Sequence, residues 1–184
     1  MPVDESAIAT WANVVTVTRV LASPFLFAIL PSDSRGSWVA LALWVVLCSS
    51  DAIDGHLARR HGTTRSGAFL DPLADKILIL GAMFTLVSRG IFWLLPVSII
   101  AGREILVSAY RVVVGSKGVS VPATKLAKWK TLFQQLAVGF AIAPMTTTDA
   151  TWLWLSFLWA AVGLTIVTGL QYAVHAVRED ASKL

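Results

Sequence analysis

Four aspartates crowd one short stretch of an otherwise apolar chain. They stand at positions 51, 54, 71 and 75 of the segment SDAIDGHLARRHGTTRSGAFLDPLADK, residues 50–76. Asp51 and Asp54 are three residues apart and Asp71 and Asp75 are four apart, so each pair would share one face of a helix. A turn centred near residue 63 would bring the two pairs to one depth of an antiparallel hairpin. The spacing therefore predicts a single cluster of four carboxylates.

Such a cluster needs a counter-ion, because an intramembrane charge costs roughly 2.5–3.5 kcal/mol at mid-bilayer on insertion scales. Carboxylate oxygens with no cysteine nearby favour a hard cation, Mg²⁺ or Mn²⁺. Four carboxylates suffice to bridge two ions about 3.5–4 Å apart, the arrangement that clamps a phosphoryl group during in-line displacement. A solvated helix end is the competing interpretation, but the residues from Val39 to Cys48, just before the first aspartate, are entirely apolar. We therefore predict two such ions, with these ligands: Asp51, Asp54, Asp71 and Asp75.

Small residues accompany the aspartates. Gly55 and Ala58 lie one and two turns beyond Asp51, and Gly67 stands at the start of the next helix. Small side chains let a bulky ligand approach the backbone, although tight helix packing alone would also favour them. Arg59 can bind a phosphate of that ligand.

The elements that position these residues follow from hydropathy. Hydrophobic residues make up 56% of the 184, and the mean hydropathy is +0.71. The apolar residues form six blocks, near 13–31, 37–59, 68–88, 91–114, 126–144 and 152–175. Each block is close to the roughly 20 residues that a helix needs to cross a bilayer. We predict an all-α, polytopic membrane domain over residues 1–184 with six transmembrane helices. A short interfacial helix is expected at 2–12.

The charges indicate orientation. Six crossings put both termini on one side, and the loops there carry most of the cations, namely Arg59, Arg60, Arg65, Arg111, Lys117, Lys125, Lys128 and Lys130. The opposite loops offer only Arg35 and Arg89. The positive-inside rule then places both termini in the cytoplasm, with the chain in the inner (plasma) membrane. Asp4 and Glu5 precede the first block, which argues against a cleaved leader.

The net charge of +4 invites a nucleic-acid interpretation. The apolar blocks instead favour an anionic membrane surface or a phosphorylated substrate, so no nucleic acid is expected. Most of the tryptophans are predicted to anchor the interface or to face lipid, namely Trp38, Trp44, Trp93, Trp129, Trp152, Trp154 and Trp159.

A second group of cations follows the aspartates along the chain. Arg103 lies inside the fourth block, and Arg111 is eight residues on, close to the same helix face. Lys128 and Lys130 begin the fifth block. Arginine suits bidentate phosphate contacts, so these residues predict a phosphate pocket. The competing interpretations are interfacial anchoring for Arg111 and the lysines, and for Arg103 a salt bridge to Glu104 or to another helix.

The aspartate stretch resembles the motif D-x-x-D-G-x-x-A-R, spacer, G-x-x-x-D-x-x-x-D of the CDP-alcohol phosphatidyltransferase family. All eight fixed positions match, at Asp51, Asp54, Gly55, Ala58, Arg59, Gly67, Asp71 and Asp75. Asn13, Thr16 and Arg19 resemble the N-x-x-T-x-x-R opening of bacterial members. The stretch from Gly102 to Thr131 resembles the branch whose acceptor is glycerol 3-phosphate.

The resemblance implies a homodimer of six-helix chains with a cytoplasm-facing cavity, in which the first three aspartates bind metal and Asp75 is the general base. It implies transfer of a phosphatidyl group from CDP-diacylglycerol to glycerol 3-phosphate. The expected CDP-lipid site comprises Thr16, Gly55, Ala58, Arg59 and Gly67. The expected acceptor-phosphate site comprises Arg103, Arg111, Lys128 and Lys130.

Two alternatives remain open on the sequence. One is a related enzyme whose acceptor is inositol phosphate or phosphatidylglycerol. The other, a cation transporter, is disfavoured because the aspartates lie toward one face of the membrane rather than at its middle.

Overall fold

Six α-helices make up the part of the chain that the computed structural model describes. The backbone is described for residues 11–32, 35–61, 65–116, 125–146 and 150–181, and the side chains for 14–32, 35–50, 72–115, 126–146 and 150–174. The helices are α1 (Trp11–Ile29), α2 (Trp38–His61), α3 (Arg65–Ser88), α4 (Leu94–Ser116), α5 (Lys125–Ile142) and α6 (Thr151–Ala181). The all-α prediction is confirmed for these residues, and each apolar block overlaps one helix. The interfacial helix expected at 2–12 falls almost wholly outside the described residues.

The helices pack as two groups joined through α3 and α5. Helix α1 contacts both α2 and α3, and α6 contacts both α4 and α5, while α3 also contacts α4 and α5. The fully buried apolar residues come from all six helices and include Leu26, Ala40, Leu78, Met83, Leu86, Val97, Ile100, Val138, Ile142 and Leu158. This arrangement places α3 beside both α4 and α5.

Glycines lie in the turns between α1 and α2 and between α3 and α4. Gly36 and Gly90 have φ values of +71° and +74°, a region that L side chains rarely adopt. A Cβ atom at Gly36 would also lie 2.7 Å from the Ile142 carbonyl oxygen. That oxygen accepts a hydrogen bond from the Ser37 amide at 2.9 Å, which ties the first turn to the end of α5.

One tryptophan prediction is wrong. Trp44 is only 2% exposed, because its indole nitrogen donates to the Gln135 carbonyl at 3.1 Å and so holds α2 against α5. A buried indole N–H needs such a partner. Trp38, Trp93, Trp129 and Trp152 are each more than half exposed, as expected for residues that face lipid or its interface.

Helix α6 contains the only stretch among the described residues that is long and apolar enough to cross a membrane. It runs from Thr151 to Val174, 24 residues with a mean hydropathy of 1.9. Only 28% of its most apolar part is buried inside the protein. Val14–Ile29 and Trp38–Ser50 are apolar but shorter.

Candidate active site

A cavity of about 450 Å³ lies between α3, α4 and α5, and Tyr172 of α6 also lines it. We call it the charged cavity, because five cations and two acids line it: Lys76, Arg103, Arg111, Lys128, Lys130, Asp75 and Glu104. The excess of positive charge suits an anionic ligand.

All four residues predicted to bind the acceptor phosphate line this cavity, together with the predicted base. Asp75 comes from α3, Arg103 and Arg111 come from α4, and Lys128 and Lys130 come from α5. The two lysines differ in environment, because residues two apart point to different faces of a helix. Lys130 is 3% exposed, whereas Lys128 is exposed.

A buried ion network connects α4 to α5 at the wall of the cavity. The Lys130 ammonium donates to Oε1 of Glu104, and Arg103 Nη1 donates to the same oxygen at 3.2 Å. Glu104 itself is 7% exposed. An ammonium this deeply buried needs a counter-charge, since its desolvation is otherwise uncompensated. The salt bridge proposed for Arg103 is therefore present, and it coexists with a place in the cavity lining.

The Arg103 guanidinium is also held from α6. Its Cζ lies 5.4 Å from the centroid of the Tyr172 ring, a cation–π contact. A Cβ atom at Gly169 would lie 3.4 Å from Arg103 Cγ, so the glycine leaves room for the arginine stem. Arg103 Nε and Nη2 have no hydrogen-bond partner among the described residues. The side chain is thus held in place while two of its donor atoms remain unused.

The aspartate motif lies where α2 ends and α3 begins. Asp51 and Asp54 belong to α2, and Asp71 and Asp75 belong to α3. Only Asp75 has a described side chain, and it is partly buried at the charged cavity. The side chains of the other motif residues fall outside the described set: Asp51, Asp54, Gly55, Ala58, Arg59, Gly67 and Asp71.

No group of three His, Cys, Asp or Glu side chains comes together within the described set, which contains one of the four aspartates. The donor set itself fits a hard divalent cation, because it consists of carboxylates alone.

Comparison with known proteins decides the family. Residues 9–167 match the model of the CDP-alcohol phosphatidyltransferase family. The chain belongs to this family. It is therefore an enzyme that transfers phosphatidyl groups.

Several relatives resemble the chain over most of its length. A CDP-diacylglycerol--glycerol-3-phosphate 3-phosphatidyltransferase of Pseudomonas fluorescens is 38% identical over 87% of this chain and 86% of its own. An enzyme of that name from Cereibacter sphaeroides is 33% identical over 87% of this chain and 92% of its own. A probable phosphatidylglycerophosphate synthase of Mycobacterium tuberculosis is 35% identical over 94% of this chain and 84% of its own.

The opening motif of this phosphatidyltransferase ties α1 to the aspartate stretch. Arg19 is 1% exposed, and its Nε donates to the Ser50 hydroxyl at 3.1 Å. Ser50 directly precedes Asp51. Thr16, predicted to bind the CDP-lipid, is 1% exposed on α1 and does not line the charged cavity.

Several residues that line the cavity of the phosphatidyltransferase were not among the predicted site residues, among them Lys76, Gln134 and Tyr172. Lys76 follows Asp75 directly, and Gln134 lies one turn after Lys130, so both have a neighbour that could have indicated them. Tyr172 has no such signal, since it comes from α6 and lies beyond the residues that the family model matches.

Proposed function

We propose that this enzyme is a phosphatidylglycerophosphate synthase, which transfers the phosphatidyl group of CDP-diacylglycerol to sn-glycerol 3-phosphate and releases CMP. The charged cavity carries the proposal, because it combines a carboxylate with an excess of cations, the combination that a phosphorylated alcohol requires. The names of the relatives from Pseudomonas and Cereibacter support this acceptor over inositol phosphate or phosphatidylglycerol.

In the proposed reaction, Asp75 takes the proton of the acceptor hydroxyl. The hydroxyl oxygen bonds to the phosphorus that carries diacylglycerol, and the bond from that phosphorus to the CMP oxygen breaks. A base within hydrogen-bond reach is typically worth 10²–10⁴-fold in rate. Arg103, Arg111, Lys128 and Lys130 hold the acceptor phosphate and orient the hydroxyl toward Asp75.

Two Mg²⁺ or Mn²⁺ ions would be held by the aspartates of the motif, Asp51, Asp54, Asp71 and Asp75. When bound, such ions neutralise charge on the diphosphate and on the leaving group. Thr16, Gly55, Ala58, Arg59 and Gly67 are proposed to bind the CDP-lipid.

The proposed setting is the inner (plasma) membrane, crossed six times by a single domain with both termini and the active site in the cytoplasm. The helices are 18 to 31 residues long, which suits a bilayer. Large apolar side chains are exposed on the outside of the bundle, for example Leu21, Phe25, Val39, Leu106 and Leu170. Lipid would cover such a surface. A homodimer stays a prediction that rests on the family resemblance.

The direct test is product identification. The purified full chain would be incubated with CDP-diacylglycerol, divalent cation and one acceptor at a time: glycerol 3-phosphate, inositol phosphate or phosphatidylglycerol. We expect phosphatidylglycerophosphate and an equal amount of CMP with glycerol 3-phosphate, and formation of both roughly 10²–10⁴-fold more slowly by the Asp75→Asn variant. A lipid product from inositol phosphate, with none from glycerol 3-phosphate, would contradict the proposal.

A further inference from the structure

Gln134 is a buried, neutral hydrogen-bond donor in the wall of the charged cavity. The residue is 2% exposed, and its Nε2 has no hydrogen-bond partner among the residues that the structure describes. Unmet buried donors are rare in native proteins, and each one needs an explanation. Because Gln134 lines the cavity, a ligand in the cavity is the explanation closest at hand.

The neighbours of Gln134 show which part of a ligand it would meet. Lys130 lies four residues before it on α5, on the same helix face, and Thr131 lies three residues before it. All three line the cavity. The Nε2 atom itself is shielded from water, but the terminal torsion of a glutamine is soft, so a small rotation can turn the amide toward the cavity.

Charge alone cannot recognise every polar group of the acceptor. The five cations of the cavity can bind a phosphate, but they bind any phosphorylated alcohol of suitable size. Glycerol 3-phosphate has three polar groups: the phosphate, the terminal hydroxyl that attacks, and the middle hydroxyl. Arg103 and its neighbours suit the first, and Asp75 suits the second. The middle hydroxyl is left for a neutral donor.

We propose that Gln134 is a specificity-determining residue, which donates a hydrogen bond from Nε2 to the middle hydroxyl of glycerol 3-phosphate. This inference rests on the proposed function. A site built to bind a hydroxyl rejects the analogue that lacks it, because the donor is then left without a partner. The enzyme therefore distinguishes its acceptor from an otherwise equal molecule without that hydroxyl.

The experiment compares two acceptors on one enzyme. Glycerol 3-phosphate is measured against 3-hydroxypropyl phosphate, which keeps the phosphate and the attacking hydroxyl and lacks only the middle one. The wild type should prefer glycerol 3-phosphate by roughly tenfold to a hundredfold in kcat/KM. In Gln134→Met and Gln134→Leu the ratio should fall to within about threefold of one, since neither side chain can donate to the hydroxyl.

Thr165→Val is the matched control. Thr165 is fully buried on α6, its hydroxyl also has no hydrogen-bond partner in the described part of the chain, and it does not line the charged cavity. The valine variant should keep the wild-type ratio. A Gln134 variant that loses activity but keeps that ratio would overturn the proposal, because a purely structural role lowers both rates together. A wild type that does not distinguish the two acceptors would also overturn it, without any variant having to fold.

Equilibrium binding separates this inference from the proposed function. Calorimetric titration of both phosphorylated alcohols into the wild type and the Gln134 variants measures how much the hydroxyl contact adds to binding affinity, without turnover. If the wild type makes no phosphatidylglycerophosphate yet binds glycerol 3-phosphate more tightly than the analogue in a Gln134-dependent way, the proposed function fails and the contact stands. If it makes the product and binds both equally, only the Gln134 inference fails.

Discussion

Helices α3, α4 and α5 each have a charged half and an apolar half. The charged half contains the charged cavity and its ion network. The apolar half contains fully or nearly fully buried residues, among them Ala82, Met83, Leu86, Val97, Ile100, Ala137, Val138 and Ala141. The order reverses from helix to helix, since charge comes first in α3 and α5 and last in α4. Consecutive helices that run in opposite directions therefore gather the charges of these three helices at one end of the bundle.

The two halves also differ in how completely their polar atoms are satisfied. Of five buried side-chain polar atoms without a partner among the described residues, three belong to Arg103 and Gln134 in the charged cavity. The apolar half is closely packed. A Cβ atom at Gly81 would lie 2.3 Å from the ring of Phe27, so α1 and α3 are in close contact there. Local rules of folding are broken mainly where a site exists, and the close-packed half gives that site rigid support.

The largest effect on turnover is expected from substitution of the proposed metal ligands on α2 and α3. Asp51→Asn and Asp71→Asn should abolish CMP release and weaken divalent-cation binding, because each removes an anionic ligand. Excess chelator should abolish CMP release by the wild type. Asp33→Asn, between the first and second apolar blocks, is the control and should keep its activity. Full turnover in the presence of chelator would show that no metal is needed.

Asp75→Asn should have the next largest effect on turnover, and it should distinguish the role of the base from that of a metal ligand such as Asp51. The variant should lose roughly 10²–10⁴-fold in kcat, because it lacks the base. It should keep more affinity for metal and CDP-diacylglycerol than Asp51→Asn does, since the base acts mainly on the acceptor. Binding of both ligands would be measured by titration. An equal loss of CDP-lipid affinity in the two variants would identify Asp75 as a metal ligand only, and not as the base.

The helices and the charged residues of the site could be predicted from the sequence, because both depend on local pattern. The six blocks needed only hydropathy, and the aspartates and Arg103 are conspicuous in apolar surroundings. The burial of Trp44 and the buried donor of Gln134 were not predicted. The burial of Trp44 depends on a carbonyl of α5 that is 91 residues away. Gln134 lies one turn after Lys130, which indicates a shared helix face, but only the packing of α3, α4 and α5 shows that its donor is buried beside a cavity.

A smaller effect should follow from the arginines of α4. Arg111→Ala and Arg103→Ala should raise the KM for glycerol 3-phosphate about tenfold or more, since a charged hydrogen bond is worth about 1.5–3 kcal/mol. The KM for CDP-diacylglycerol should change less. Lysine replacements should rescue only in part, because lysine lacks the bidentate fork.

Arg89→Ala is the control for these arginines, because it removes a cation outside the charged cavity. Arg89 Nη1 donates to the Leu30 carbonyl at 3.0 Å. Its loss should leave both KM values unchanged. Arg103→Ala should in addition lower the melting temperature, since it also removes the contacts to Glu104 and Tyr172. Unchanged acceptor KM in both α4 variants, with lowered stability, would reduce these arginines to structural roles.

The smallest effect on catalysis is expected in the apolar half. Leu86 is fully buried, so Leu86→Ala should destabilise the protein by roughly 2–5 kcal/mol through lost contacts and the cavity left behind. Leu95 is 66% exposed, and Leu95→Ala is the matched control, with little expected change in stability. Both variants should keep wild-type KM values for the two substrates when assayed well below their melting temperatures. Melting curves and steady-state kinetics on the same preparations would decide this. A raised KM for glycerol 3-phosphate in Leu86→Ala alone would show that packing in the apolar half sets the geometry of the cavity, so the two halves would not be independent.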